Sequence, residues 1–102
     1  MSELREAIVT RKTKETNIIV KVQLEGSNNV KVNTSIKFLD HLVTSFATHS
    51  LIDIQIEATG DLVHHIAEDV ALTLGEAINK ALGDRKGIKR FGFAIIPMDD
   101  AL

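Results

Sequence analysis

The spacing of hydrophobic and polar residues along the chain switches between two periods. Residues 5–11, REAIVTR, and 17–24, NIIVKVQL, are rich in β-branched residues and predict strands, the second alternating cleanly through VKVQL. EGSNN at 25–29 has turn chemistry, which predicts that VKVN at 30–33 returns as the second half of a hairpin. The period then lengthens. Phe38, Leu39, Leu42, Val43 and Phe46 form an apolar stripe at helical spacing within residues 36–49, and Thr34 or Ser35 is placed to cap that helix. LIDIQIEAT at 51–59 goes back to period two, with Ile52, Ile54 and Ile56 on one face. A second helix is expected over residues 62–82, with Asp61 as its cap and Gly83 and Asp84 as its end. Its stripe would be Ala67, Val70, Ala71, Leu74, Ile78 and Ala81. GIKRFGFAIIP at 87–97 predicts a further strand, closed by Pro97.

The resulting order, β-β-β-α-β-α, predicts an α+β two-layer sandwich: a four-stranded sheet with both helices on one face, plus an extra C-terminal strand. At 102 residues the chain is expected to be a single domain, 1–102, large enough for one core but small for a complete active site. A faint echo runs through it. Arg5 opens a strand with Glu15 ten positions on, and Arg90 opens a strand with Asp100 ten positions on. That echo divides the chain into one complete repeat, 5–84, and the first strand of a second, 87–102.

Composition narrows the chemistry. The net charge of −2, with mixed signs along the chain, gives no basic stripe for nucleic acid or an anionic membrane, and no aromatics interleave the early strands. No apolar run approaches the roughly 18 residues that span a bilayer, and the charged N-terminus has no signal-peptide core. A cytoplasmic protein is the expectation. With no cysteine, any metal site must be built from imidazole and carboxylate, which favours Mn, Fe, Zn or Ni.

HHIAED at 64–69 is where such a site would start. His64 and Glu68 are four apart and share a helix face, while His65 projects about 100° away around the axis, towards a different partner. The same residues also suit a solvated helix start, where Glu68 gains from the helix dipole. On the first helix His41 and His49, with Ser45 between them, share a face away from the Phe/Leu stripe. His49 in the last turn also suits the helix C-terminus, and His41 beside Asp40 also suits a polar surface. All four histidines therefore sit on the two helices.

TKET at 13–16, FLDHLVTSFATHS at 38–50, HHIAED at 64–69, and GIKRFG with IPMDDAL within 87–102 occur in that order. Together they closely resemble the first half of imidazoleglycerol-phosphate dehydratase, a histidine-biosynthesis enzyme, from about residue 5 to the last residue. The resemblance implies a subunit made by tandem duplication of a β-β-β-α-β-α unit, assembled as a hollow twenty-four-subunit particle with active sites at subunit interfaces. It also implies two Mn²⁺ ions per complete site, His41 and His65 matching ligands of one, His64 and Glu68 matching ligands of the other. Glu15 matches a substrate-contacting carboxylate suited to proton transfer. His41, His49, His64, Glu68 and Arg90 match substrate-binding positions. The implied reaction is loss of water from imidazole glycerol phosphate to give imidazole acetol phosphate.

Two departures from the family pattern stand out. Only Leu62 and Val63 separate Asp61 from His64, where the family has a longer loop with acidic residues. The family's second half, with its own histidine pair, glutamate, further histidine and phosphate-binding arginine, has no counterpart here. Three readings follow: a half-length enzyme completed by a second copy, a piece that needs the other half, or a non-catalytic, oligomeric, metal-binding half-domain. The first two are favoured, because every catalytic residue assigned to this half is present.

Overall fold

The computed structural model describes residues 5–83. Its elements are β1 (Glu6–Lys12), β2 (Thr16–Gln23), β3 (Lys31–Asn33), α1 (Lys37–Ser50), β4 (Asp53–Gly60) and α2 (Val63–Leu82). The expected strand over 87–97, which includes Arg90 and Pro97, lies outside the described residues, as do Asp84 and Asp100.

Period-two patterning builds the sheet. Thr16, Ile18, Val20 and Val22 of β2 are buried, while Asn17, Ile19 and Lys21 between them are exposed. Ile54, Ile56 and Ala58 of β4 are buried on the same side, and the antiparallel register sets Val20 opposite Ile56 and Val22 opposite Ile54. Val9 of β1 lies opposite Val20 and completes the row. These residues are the sheet's half of the core. The helices supply the other half through Val43 and Ala47 of α1 and Ile66, Val70, Ala77 and Ala81 of α2. Helix α2 lies over β1 and β2, and α1 lies over β3 and β4. The α+β reading, with an open four-stranded sheet carrying two helices on one face, holds.

The strand order is β1-β2-β4-β3, and it corrects the expected β2–β3 hairpin. β3 pairs with β4 in parallel, and β4 occupies the slot beside β2. Length decides between the two strands. Eight residues of β4 match all eight of β2, whereas β3 offers three, of which Lys31 and Asn33 are exposed and polar. The β3-α1-β4 crossover supplies the connection that a parallel pair requires. EGSNN is still a turn, but Asp53 holds it open. Its carboxylate accepts hydrogen bonds from the Ser27 N–H (2.9 Å), the Ser27 hydroxyl (3.0 Å) and the Asn29 N–H (3.0 Å), which turns the chain away from β2.

The helix starts differ from expectation as well. The residues flanking the first turns are Ile36 and Leu62, and neither helix has a side-chain cap. Thr34 faces inward instead: its N–H and hydroxyl both donate to Asp40, at 2.7 and 2.6 Å, so the carboxylate one turn into α1 holds the loop. Asp61 accepts from the Leu62 N–H at 2.6 Å, a contact too local to cap the helix. Gly83 ends α2 at φ 56°, a conformation open to glycine at little cost.

Both apolar stripes are rotated from those expected. On α1 the sheet takes Val43, Ala47 and part of Leu39, while Phe38 remains 71% exposed and Leu42 and Phe46 more than 40% exposed. On α2 the buried line is Ile66, Val70, Thr73, Ala77 and Ala81, with Leu74 and Ile78 on its flank and Ala71 exposed.

Candidate functional site

One corner of the molecule gathers the turn between β1 and β2, the end of β4 and the first turn of α2. Thr13 shapes the turn. Its hydroxyl accepts from the N–H groups of Glu15 (3.1 Å) and Thr16 (3.0 Å), and its own N–H donates to the Thr16 carbonyl at 2.8 Å. This local bonding, typical of Ser and Thr in turns, holds Glu15 exposed at the tip. The Asp61 N–H then donates to the Glu15 carbonyl at 3.0 Å, joining the turn to the connection between β4 and α2. Gly60 permits that approach, since a Cβ there would stand 2.7 Å from Ile66 Cγ1 and 2.9 Å from the Glu15 carbonyl oxygen.

From this seam α2 begins. His64 and His65 occupy its first turn with ring centroids 4.4 Å apart and planes inclined at 56°. His64 and Glu68 are exposed, one helical turn apart. His65 is half-buried, and its Nδ1 lies 2.8 Å from Asp61 Oδ1. That hydrogen bond raises the His65 pKa above the ordinary imidazole value. Partial burial opposes the shift, and the charges of Asp61, Glu15 and Glu68 add to it. Asp61 is shifted below the usual carboxylate range by the same contact. A depression of about 390 Å³ beside the seam is lined by Lys12, Lys14, Glu15, Asn17 and Asp61, among others.

The corner is tied to the sheet from below. Asp69, the last residue of HHIAED, accepts from the Thr16 hydroxyl at 2.6 Å and stands 3.4 Å from Arg11 Nε. The latter is a charge contact without an aligned hydrogen bond. Thr73 below it donates to the Asp69 carbonyl at 2.6 Å. Sequence reasoning placed Glu15, His64, His65 and Glu68 but missed Asp61 as the partner of His65 and Asp69 as the tether. The signal for Asp61 was present, because an aspartate four residues before a histidine at a helix start is within side-chain reach.

The remaining candidates come from other parts of the chain. His41 and His49 are exposed on α1, one in its first half and one in its last turn. Arg90 lies outside the described residues. Among the described residues no three His, Asp or Glu side chains are grouped so as to hold a metal ion. The donor chemistry nevertheless suits divalent cations in part: imidazole and carboxylate stand side by side, and His65 has one nitrogen held by a carboxylate, the usual outer partner of a ligating histidine. The set fits as donor pairs, not as a complete shell.

Comparison with known proteins settles the lineage. The family model described as imidazoleglycerol-phosphate dehydratase matches residues 34–102. The chain belongs to the imidazoleglycerol-phosphate dehydratase family. The imidazoleglycerol-phosphate dehydratase of Methanococcoides burtonii is 53% identical over 102 residues, covering 97% of this chain and 53% of that protein. That of Methanothermobacter thermautotrophicus is 50% identical over 105 residues, covering all of this chain and 54% of that protein. Among solved structures, the Staphylococcus aureus imidazoleglycerol-phosphate dehydratase superposes with a TM-score of 0.76 at 30% identity, covering 92% of this chain and 52% of that one. The Pyrococcus furiosus structure, in complex with (S)-C348, gives 0.67 at 43% identity, covering 90% and 49%. The chain thus spans about half the length of the imidazoleglycerol-phosphate dehydratases it matches. The resemblance carried by the four sequence motifs is borne out. Among the described residues no helix is long and apolar enough to cross a membrane.

Proposed function

We propose that this chain supplies one repeat's share of a metal-dependent dehydratase site that converts imidazole glycerol phosphate to imidazole acetol phosphate in histidine biosynthesis. In this reading residues 5–84 are one repeat and 87–102 open a second. Its main support is the corner itself in a chain of this family: the His64–His65 pair and Glu68 at the head of α2, with the Glu15 turn bonded to the connection that precedes them. His64 and Glu68 would bind one Mn²⁺, His65 and His41 the other. The bound cations would supply electrostatic stabilisation of the negative charge that builds on the imidazole ring.

The chain's own residues then have separable tasks. Loss of water needs a proton taken from carbon and a proton delivered to the departing hydroxide. Glu15 is the exposed carboxylate at the corner and carries that transfer. His49 and Arg90 contact substrate, and His41, His64 and Glu68 bind it through the cation positions. Because the described residues gather donor pairs only, a second repeat completes the shell, from another copy or from a separate second half.

The exposed apolar line Phe38, Leu42 and Phe46 on α1, with Val63 and Leu72 on α2, supports such an assembly, up to a cage of twenty-four family-type subunits. The partner is thus a like repeat and the substrate a small phosphorylated imidazole; a cytoplasmic location fits both. Incomplete donor sets among the described residues favour a second reading, an oligomeric metal-binding half-domain without activity.

Dehydration of imidazole glycerol phosphate by the 102-residue chain assembled with Mn²⁺, beside His64→Ala, tests the proposal. Turnover should fall at least about 100-fold in the variant, since even an outer-partner loss commonly costs 10–100-fold. Mn²⁺ binding without turnover in any assembly favours the second reading.

A further inference from the structure

The short connection between β4 and α2 places a carboxylate where a longer loop would not. Asp61 lies four residues before His65, and its Oδ1 stands 2.8 Å from His65 Nδ1. Asp61 cannot swing away freely. Its N–H is bonded to the Glu15 carbonyl at 3.0 Å, its Oδ1 also accepts from the Leu62 N–H at 2.6 Å, and Gly60 before it lies against Ile66 and the Glu15 backbone. The His64 ring lies beside the His65 ring, with centroids 4.4 Å apart.

An ionised carboxylate only accepts hydrogen bonds, so the nitrogen facing it must carry the proton. In the neutral ring that leaves the lone pair on Nε2. We propose that Asp61 is a positioning residue: it fixes His65 as the Nδ1–H tautomer and presents Nε2 as a donor to a divalent cation. This rests on the dehydratase reading of the corner and adds to it a residue that stands outside the cation-binding set. Asp61 would thereby do in this chain what second-layer carboxylates do for ligating histidines in general.

The test uses the ¹⁵N-labelled full chain without metal, at a pH where His65 is neutral. Long-range ¹H–¹⁵N correlations report which ring nitrogen is protonated. Wild type should show protonated Nδ1 and bare Nε2. Asp61→Ala should move His65 towards Nε2–H, and Asp61→Glu should restore Nδ1–H at least in part, with circular dichroism confirming that each variant is folded. In parallel, calorimetric titration with Mn²⁺ alone should show affinity falling about 10–100-fold in Asp61→Ala, the usual effect of losing an outer partner. A wild-type Nε2–H tautomer, or a tautomer unmoved by Asp61→Ala, overturns the proposal while leaving the dehydratase reading intact. A shifted tautomer with unchanged Mn²⁺ affinity overturns the presentation of Nε2 to a cation. If the wild-type assembly binds no Mn²⁺, the dehydratase reading fails and the proposal falls with it.

Discussion

Asp53 shows how one buried polar side chain can direct a backbone. It sits at the start of β4, 7% exposed, and collects donors from the loop between β2 and β3. The Asn29 N–H lowers its pKa most, burial opposes that, and the Ser27 N–H and hydroxyl reinforce the lowering. A folded pKa below the unfolded value near 3.8 means that this stabilisation is present above the ordinary carboxylate range. It is lost as the pH falls through the folded value. Asp53→Asn is therefore expected to lower stability at neutral pH and to flatten the acid limb of the stability–pH curve, as measured by thermal unfolding at a series of pH values. From sequence Asp53 was only the polar partner in an alternating strand, because nothing local marks the loop that wraps it. Asp69 was hidden for the same reason: its partner Thr16 becomes a neighbour only when α2 lies on the strands.

At the scale of elements, regular periods were legible and short or remote pairings were not. The alternation of β2 and β4 put Ile18, Val20, Ile54 and Ile56 in the core as expected. β3 carried no pattern of its own: three residues cannot show a period, and its parallel pairing depends on the crossover through α1. Helical spacing identified α1 but not which part of its wide apolar surface meets the sheet. The end of α1 holds a further cost. Leu51 adopts the left-handed conformation at φ 60° and ψ 32° with its side chain exposed, whereas that conformation disfavours any residue with a Cβ. Leu51→Gly should remove the strain at the expense of some unfolded-state entropy, for a net gain of about 0.5–1 kcal/mol. Urea unfolding that shows an equal or lower midpoint would contradict this account of the turn.

For the whole molecule the central fact is proportion. A chain of about half the length of its relatives presents histidine and carboxylate pairs but no cluster of three donors among its described residues, and it leaves Phe38, Leu42 and Phe46 uncovered on α1. One association would account for both features, covering the apolar line and bringing a second set of donors to the first. Phe46→Glu should keep the monomer's secondary structure, because Phe46 is outside the core, and should weaken association at least about tenfold, as loss of a buried aromatic anchor does. Light scattering coupled to size exclusion would read both mass and order of assembly. The most direct test couples assembly to chemistry: Mn²⁺-dependent dehydration of imidazole glycerol phosphate, measured with the mass of the same samples. The chain would be assayed alone and mixed with the second half of the Methanococcoides burtonii relative, with Phe46→Glu in parallel. The account predicts turnover only in assembled samples, lost when Phe46→Glu leaves the chain monomeric. Equal turnover by the monomer, or none in any assembly, would contradict it.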